Sequence, residues 1–568
     1  MHPAWKLSRV VLVLIPSLLW ITHDHCGISD NEDAVDSENV VVTLEVPEKY
    51  VPSILGAVDS RYVSFTLDWW PPDQGSPFPP PSGWGQHANV LNVDLQSNRL
   101  RTLARTLQPS FLRIGGTLDK IVAYEIPHLG ATCEAPSTAS NPPPCLNMSR
   151  WKELHAFAGA THSKIVFGLS YPTAGNNASE GIWNASQATA LFRYSQQHGF
   201  NRRTTLHGFE LGEELEGYQV GSTAFDNYIS AYRECAKLLR EIYCGDAKSD
   251  CPERPLLMGP CPGMAWPTLA TWFPAFLYAT RSLLDVAVYH SYNQLSWNEL
   301  YLNFTIPSGN LSTQKGSSPG DTGWQEVAMQ QFVHHITPTT PLWLGEMGPH
   351  NGGGGPGNIS RSFASSFSYM DTLGQLARLN HQVLSRQTLV GGKYEFLRCS
   401  TGGQLGCDFE PHPDFYVALL WSRLMGRIVL SLPRFRTVVI GDSKWTNDLH
   451  FHLHCSNDHF QRGSITLAFS NKSTNSSYHL LLPEWGPSRI EYTLQACQTK
   501  NNPFVAKKVQ LNGRCLHVGN HTTTSTTFVE TLQGQKVSNG KSNLFKIRPS
   551  SLGFVVFPQA SLVRCVKP

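Results

Sequence analysis

Lys164-Ile165-Val166-Phe167-Gly168-Leu169 is followed by a helical pattern at Ala188–His198 and then by Leu206-His207-Gly208-Phe209-Glu210-Leu211. The outer stretches are short apolar runs of strand length, and the middle one repeats apolar residues at helical spacing. A strand, a helix and a second strand in that order predict a crossover unit whose strands lie parallel. The same alternation extends both ways. Tyr62–Leu67 and Phe111–Ile114 read as strands, with a helix predicted over Leu91–Leu107 between them and another over Trp151–Ala160. Downstream come a long helix at Phe225–Ile242, strands at Leu256–Gly259, Leu283–His290 and Thr340–Leu344, a helix at Ser362–Leu379 and a run at Val383–Val390. About eight such units fit a closed (β/α)8 TIM barrel better than an open sheet.

After about residue 436 the pattern changes to short strands separated by turn residues, from Val438–Ile440 to Gly553–Phe557. This predicts a second, all-β sandwich domain, and an α/β chain overall. The expected domains are a signal peptide over 1–26, an N-terminal strand region over 40–59 joining the sandwich, the barrel over 60–435 and the sandwich over 436–568.

Composition bounds the function. Of 568 residues, 41% are hydrophobic and 15% charged, enough apolar material for large cores and too little charge for a disordered chain. Lys plus Arg number 45 against 43 acidic residues, so no basic stripe suggests nucleic-acid binding. Lys6 and Arg9 precede the apolar run Val10–Ile21, which is too short to span a bilayer and reads as a signal sequence. The expected location is secreted, lysosomal or vacuolar. No transmembrane span is predicted, and peripheral membrane association is compatible with the sequence. Oligomeric state is not readable.

Thirteen cysteines, with Cys26 in or beside the signal, leave an even number for an oxidising compartment. The expected local pairs are Cys133 with Cys145, Cys244 or Cys251 with Cys261, and Cys399 with Cys407. No spacing fits a cysteine zinc site, so neither a metal nor a cofactor is expected. Glycosylation sequons lie at Asn147, Asn177, Asn184, Asn303, Asn310, Asn358, Asn471, Asn475 and Asn520.

Barrel enzymes place their chemistry at the C-terminal ends of the strands. Two carboxylate clusters fall there, in His207-Gly208-Phe209-Glu210-Leu211-Gly212-Glu213-Glu214 and in Leu342-Trp343-Leu344-Gly345-Glu346. Two facing carboxyl groups can act as acid/base and nucleophile of a retaining glycosidase. Either could instead be an acidic residue beside a helix N-terminus.

The chain resembles the heparanase-like proteins, glycoside hydrolase family 79 of clan A, and most closely the plant-type members. The segments carrying the resemblance are Thr66-Leu67-Asp68-Trp69-Trp70, Leu112-Arg113-Ile114-Gly115-Gly116-Thr117, Glu210-Leu211-Gly212 with Glu214, His290 with Tyr292-Asn293, Leu344-Gly345-Glu346, Arg386–Tyr394 and Pro413–Trp421. The resemblance implies a retaining hydrolase of β-linked glucuronic acid, with Glu214 as proton donor and Glu346 as nucleophile. It makes Asp68, Thr117, Glu213, His290, Tyr292, Tyr394 and the glycine pair Gly353 and Gly354 substrate-binding candidates. Glycine there lets backbone N–H groups approach a uronate carboxylate. His290 or Tyr292 could hold a carboxylate ionised by hydrogen bonding, and Trp69 or Trp70 could stack on a sugar. The implied partner is a glucuronate-containing glycan.

One position departs from the family, which has Asn where this chain has Glu213. An ionised Glu213 cannot donate a hydrogen bond, a protonated one can, and its charge is expected to raise the pKa of Glu214. The expectation is exo-acting β-glucuronidase activity at acidic pH. The alternatives are an endo-acting heparanase and a non-catalytic glycan-binding relative.

Overall fold

The computed structural model describes residues 40–45, 52–69, 88–127, 133, 144–171, 181–215, 219–245, 251–263, 268–298, 300, 323–351, 354–399, 407–438, 448–482, 485–499, 502–518, 532–538 and 544–566. The chain divides into Met1–Ser37 and Glu38–Pro568, and every described residue belongs to the second unit.

Eight parallel strands close into a barrel: β1 (Val63–Leu67), β2 (Ser110–Ile114), β3 (Ser163–Leu169), β4 (Leu206–Leu211), β5 (Leu256–Pro260), β6 (Val286–Tyr292), β7 (Leu342–Gly348) and β8 (His381–Arg386). Each pairs with its neighbour in sequence, and β8 closes on β1 through Leu384–Val63 and Arg386–Phe65. The surrounding helices are α1 (Asn98–Thr106), α2 (Met148–Thr161), α3 (Ala185–Gln197), α4 (Thr223–Cys244), α5 (Thr268–Thr280), α6 (Gly323–Ile336), α7 (Phe363–Arg378) and α8 (Pro413–Leu424).

Side-chain alternation along the strands builds two environments. In β1, Val63, Phe65 and Leu67 join the apolar layer under the helices, whereas Ser64, Thr66 and then Asp68 are buried polar residues. Inside the barrel, Phe111, Val166, Met258, Val288, Trp343 and Val383 form an apolar plug. Above it, toward the strand C-termini, the interior becomes polar with Arg113, Glu210 and His290, all at most 1% exposed. The core floor and the polar mouth are thus successive layers of the same strands.

Local sequence sets the helix starts. Ser97, Asn147, Asn184 and Ser222 cap α1 to α4, their side-chain oxygens accepting from backbone N–H groups in the first turn. The predicted helix at Leu91–Leu107 is shorter than expected. Asn89 and Asn92 satisfy backbone donors in a turn, and Ser97 starts the helix only at Asn98. Helices α5, α6 and α8 have no counterpart among the helices expected from the sequence.

Two sheets complete the molecule. Val40–Glu45 pairs with Arg434–Val438 and Tyr478–Leu481 in a four-stranded sheet that Leu544–Ile547 completes. The other sheet has nine strands, including Ile54–Ala57, Leu449–Ser456, Ile465–Asn471, Ser488–Ala496 and Ser551–Phe557. Phe451, Leu467, Val555 and Phe557 from the larger sheet pack with Leu480, Phe545 and Ile547 from the smaller one. The alternate residues Phe554 and Val556 join the barrel core, so the larger sheet is buried on both faces. Met425–Leu430 pairs with Leu449–Ser456, so the sandwich already begins after α8, earlier than residue 436. Asp371 on α7 links the two regions, with His450 Nδ1 at 2.7 Å and His452 Nε2 at 3.3 Å.

Five disulfides are present among the described residues. Cys133–Cys145 and Cys399–Cys407 match the expected pairs. The expected pairing with Cys261 is incorrect. Cys244 bonds Cys251, and Cys261 is a free, buried thiol inside the barrel mouth. Cys455–Cys565 and Cys497–Cys515 staple the sandwich.

The sequons divide by burial. Asn147, Asn184, Asn358 and Asn475 are exposed, and Asn147 and Asn184 cap helices through Oδ1, leaving Nδ2 to carry a glycan. Asn471 corrects the expectation. It is fully buried, and its Nδ2 donates to the carbonyls of Ser476 and Arg548 at 2.9 Å each. Asn177, Asn303, Asn310 and Asn520 lie outside the described residues.

Candidate active site

Arg113 organises the barrel mouth. It points inward from β2, two residues after Phe111 of the apolar plug, and three carboxylates meet its guanidinium. Nε donates to Glu210 Oε2 at 2.9 Å, Nη1 to Glu346 Oε2 at 2.7 Å and Nη2 to Glu213 Oε2 at 2.5 Å. A planar fork of donors makes this possible, which an ammonium could not match. The sequence reading had quoted Arg113 but assigned it no role. A charged residue within the apolar strand run Phe111–Ile114 was the available signal, though not its facing.

Glu346 reaches the site because β7 bulges. The register between β6 and β7 shifts so that Tyr289 faces Leu344 while His290 faces Glu346. A Cβ on Gly345 would lie 2.4 Å from Val288, so this position must stay glycine for the strand to turn there. The Tyr292 hydroxyl donates to Glu346 Oε1. Both oxygens of this carboxylate therefore receive donors, which orients it as a fixed nucleophile. Tyr394 packs beside the pair, its ring 6.1 Å from that of Tyr292.

Glu213 and Glu214 follow β4 at the tight turn of Gly212, and Glu214 has a positive φ of 48°. Strain of that kind at a polar residue fits a site held in place by its surroundings. Glu214 N donates to the carbonyl of Cys261 at 3.0 Å. Glu213 is 2% exposed, whereas the Glu214 side chain is 35% exposed and opens to the mouth. Between them stands His290, whose Nδ1 is 3.2 Å from Glu214 Oε1 and 3.6 Å from Glu213 Oε1.

Electrostatics follow from this geometry. Burial lifts the Glu213 carboxyl well above the usual range, Arg113 and His290 oppose that, and the charges of Glu346 and Glu214 add to it. Burial alone would lower the His290 imidazole. The Glu213 charge, the Glu214 hydrogen bond and Glu346 outweigh burial and the opposing Arg113, raising it to about 9. Burial also pushes Glu214 upward, yet the hydrogen bond and charge of His290 bring it below its ordinary value. Glu214 thus lies below its ordinary value where a raised one was expected, because His290, Lys120 and Arg113 together outweigh burial.

The other candidates are placed as follows. Asp68 is buried, with Oδ1 accepting from Trp69 N and Oδ2 from Gln387 Nε2, each at 2.6 Å. Burial and the Glu346 charge raise its carboxyl well above the usual range. Thr117 is half-buried at the start of a short 3-10 turn after Gly116. Gly354 has φ 77°, and a Cβ there would meet the Lys393 carbonyl at 2.7 Å, so glycine is required next to Tyr394. Gly353 and Trp70 lie outside the described residues. Trp69 is a core residue, 1% exposed with Nε1 bonded to Asp119, and offers no face to a sugar.

Glu213, Glu214 and His290 also form a group whose ligand atoms lie within 4.8 Å of one another, a spacing suited to a metal ion. A cavity of about 290 Å³ lies elsewhere, lined by Lys120, Tyr124, Ser170, Trp183 and Gln187, and contains none of these carboxylates.

Comparison with known proteins gives the following. The glycosyl hydrolase family 79 N-terminal domain matches residues 48–374. Baicalin-beta-D-glucuronidase from Scutellaria baicalensis is 28% identical, covering 99% of this chain and 98% of that protein. Heparanase-like protein 1 from Arabidopsis thaliana is 30% identical over 74% of this chain and 72% of its own length. Heparanase from Bos taurus is 26% identical, covering 83% and 86% respectively. Among solved structures, a 4-O-alpha-L-rhamnosyl-beta-D-glucuronidase from Fusarium oxysporum has TM-score 0.52 at 13% identity, covering 91% of this chain and 100% of that one. A family 51 alpha-L-arabinofuranosidase from Thermotoga petrophila has TM-score 0.53 at 12% identity, covering 92% and 100%. These structures share the fold.

Proposed function

The chain belongs to glycosyl hydrolase family 79, and on that premise we propose that this glycoside hydrolase is a retaining, exo-acting β-glucuronidase. One observation carries the reading. Glu346 is held from both oxygens by Arg113 and Tyr292, while Glu214, across His290 from Glu213, keeps an open carboxyl at the mouth. The first arrangement suits a nucleophile and the second an acid/base.

In this mechanism Glu214 protonates the glycosidic oxygen as Glu346 attacks the anomeric carbon. The bond to the leaving group breaks and a glycosyl–Glu346 ester forms. Glu214, now ionised, removes a proton from water, and the water oxygen displaces Glu346. Electrons and protons balance with water as the only co-reactant. Arg113 and Tyr292 hold the nucleophile, and a protonated His290 stabilises Glu214 after it gives up its proton. Asp68, Thr117, Tyr394 and the Gly353–Gly354 loop would contact the sugar and its carboxylate. Secretion through the N-terminal apolar run, with glycans on exposed sequons, belongs to the same proposal.

Exo action is favoured over endo action by the scarcity of cations. Arg113, the cation inside the mouth, is consumed by three carboxylates, and the sequence carries no dense set of Lys and Arg matching that of an endo-acting enzyme. The test is release of 4-nitrophenol from its β-D-glucuronide, compared with the β-glucoside and β-galactoside, by the secreted chain and by Glu346→Gln. Release from the glucuronide alone, lost in the variant, supports the reading. Binding of glucuronides without release supports the non-catalytic alternative.

A further inference from the structure

We propose that Glu213, Glu214 and His290 form a binding site for a divalent transition-metal ion such as zinc, and that its occupation blocks hydrolysis. The site exists only because glutamate stands at position 213. Binding does not depend on the proposed activity, whereas the inhibition rests on it.

The geometry is the first argument. Zinc bonds oxygen and imidazole nitrogen at about 2.0–2.2 Å, so two ligand atoms on a tetrahedron lie roughly 3.3–3.6 Å apart. His290 Nδ1 is 3.2 Å from Glu214 Oε1 and 3.6 Å from Glu213 Oε1. Three protein donors leave a fourth position toward the mouth, where the Glu214 side chain is partly exposed.

The second argument is the Glu213 oxygen that Arg113 leaves free of its own contact. Glu213 is 2% exposed and spends Oε2 on Arg113. Its Oε1 meets His290 Nδ1 at 3.6 Å and shares with it and Glu214 a group whose ligand atoms lie within 4.8 Å of one another.

The third is charge. Asp68, Asp119, Glu210, Glu213, Glu214 and Glu346 share the charges of the Arg113 guanidinium, the His290 imidazole and, at Glu214, Lys120. The surplus of carboxyl groups must be offset by protons or by a cation. A metal ion would take the place of the proton on His290 Nδ1, with that proton released to solvent. Arg113 stays on the far oxygen of Glu213 and does not compete for Oε1. With the metal bound, the Glu214 oxygen is coordinated and has no proton for a leaving group.

The experiment titrates zinc chloride into the full chain by calorimetry, alongside Glu213→Asn, His290→Asn and Cys261→Ser. The last variant is needed because the buried Cys261 thiol bonds Glu210 nearby. The expected result is one ion per chain, bound at least about tenfold more weakly in the first two variants and unchanged in the third. Zinc should inhibit 4-nitrophenyl glucuronide hydrolysis at the same half-saturating concentration. Equal affinity in Glu213→Asn, loss only in Cys261→Ser, or no binding to the parent would overturn the proposal. Should the variants fail to fold, cobalt(II) spectra of the parent decide. Visible bands of a four- or five-coordinate ion without a thiolate charge-transfer band support the site, and a thiolate band or no spectral change overturns it. If the parent hydrolyses no glucuronide, calorimetry still decides the binding claim, so the two failures are distinct.

Discussion

His290 Nδ1 lies 3.2 Å from Glu214 Oε1, and this contact is the largest of those that lower the pKa of the proposed proton donor. With protonated His290 beside it, Glu214 loses its proton more readily than an ordinary glutamate. Hydrolysis needs Glu214 protonated, so the alkaline limb of the rate profile should be low. The prediction is a kcat/KM maximum on the acidic side of about pH 5. His290→Gln removes the imidazolium and should move the alkaline limb upward. An unmoved limb would show that His290 does not govern the acid.

The same imidazole links folding to pH. Its folded value of about 9 is above the ordinary 6.5, so the stability it contributes is fully present below pH 6.5. That contribution is lost as pH rises through 9. Thermal melts should therefore show a falling Tm between pH 6.5 and 9, and His290→Gln should flatten that slope. A Tm that rises across this window contradicts the assignment.

Arg113→Met tests the guanidinium as the keystone of the mouth. It strands three buried carboxylates, and removing one partner of a buried pair costs about 3–5 kcal/mol. The variant should melt far below the parent at pH 7 and regain part of the difference at pH 4, where the carboxyls take up protons. Arg113→Lys keeps a charge but loses the fork, so it should recover only a fraction of the stability and little activity. A melt of Arg113→Met unchanged from the parent would remove the keystone role.

Asn471 separates sequon from glycan. Asn471→Gln displaces an amide that donates to two carbonyls and should cost about 1–3 kcal/mol. Peptide mapping of secreted protein should find Asn147 and Asn184 occupied and Asn471 bare. A glycan on Asn471 would mean that this segment of the sandwich is arranged differently during synthesis.

Much of the fold is legible in the sequence because its signals are local. The apolar run KIVFGL and the Gly-flanked carboxylates each announce a barrel strand and its C-terminal end. What is not legible depends on facing. Nothing in the spelling of Ser110–Ile114 says that Arg113 points inward to meet residues from β4 and β7, since that follows only from barrel closure. The pairing of Cys244 with Cys251 was missed because Cys261 is nearly as close in sequence, and its position inside the mouth becomes evident only after β5 is placed. Trp69 reads as a sugar platform in sequence, yet its strand position turns it into the core. The shift at Glu214 depends on a histidine two strands away.

The central claim is a double displacement at Glu346, and the stereochemistry of the first-formed sugar tests it most directly. Proton NMR should follow hydrolysis of 4-nitrophenyl β-D-glucuronide at acidic pH, with Glu346→Gln as control. The account predicts that β-glucuronic acid appears first, mutarotates later, and is absent with the variant. Initial release of the α-anomer, or undiminished release by Glu346→Gln, would contradict it.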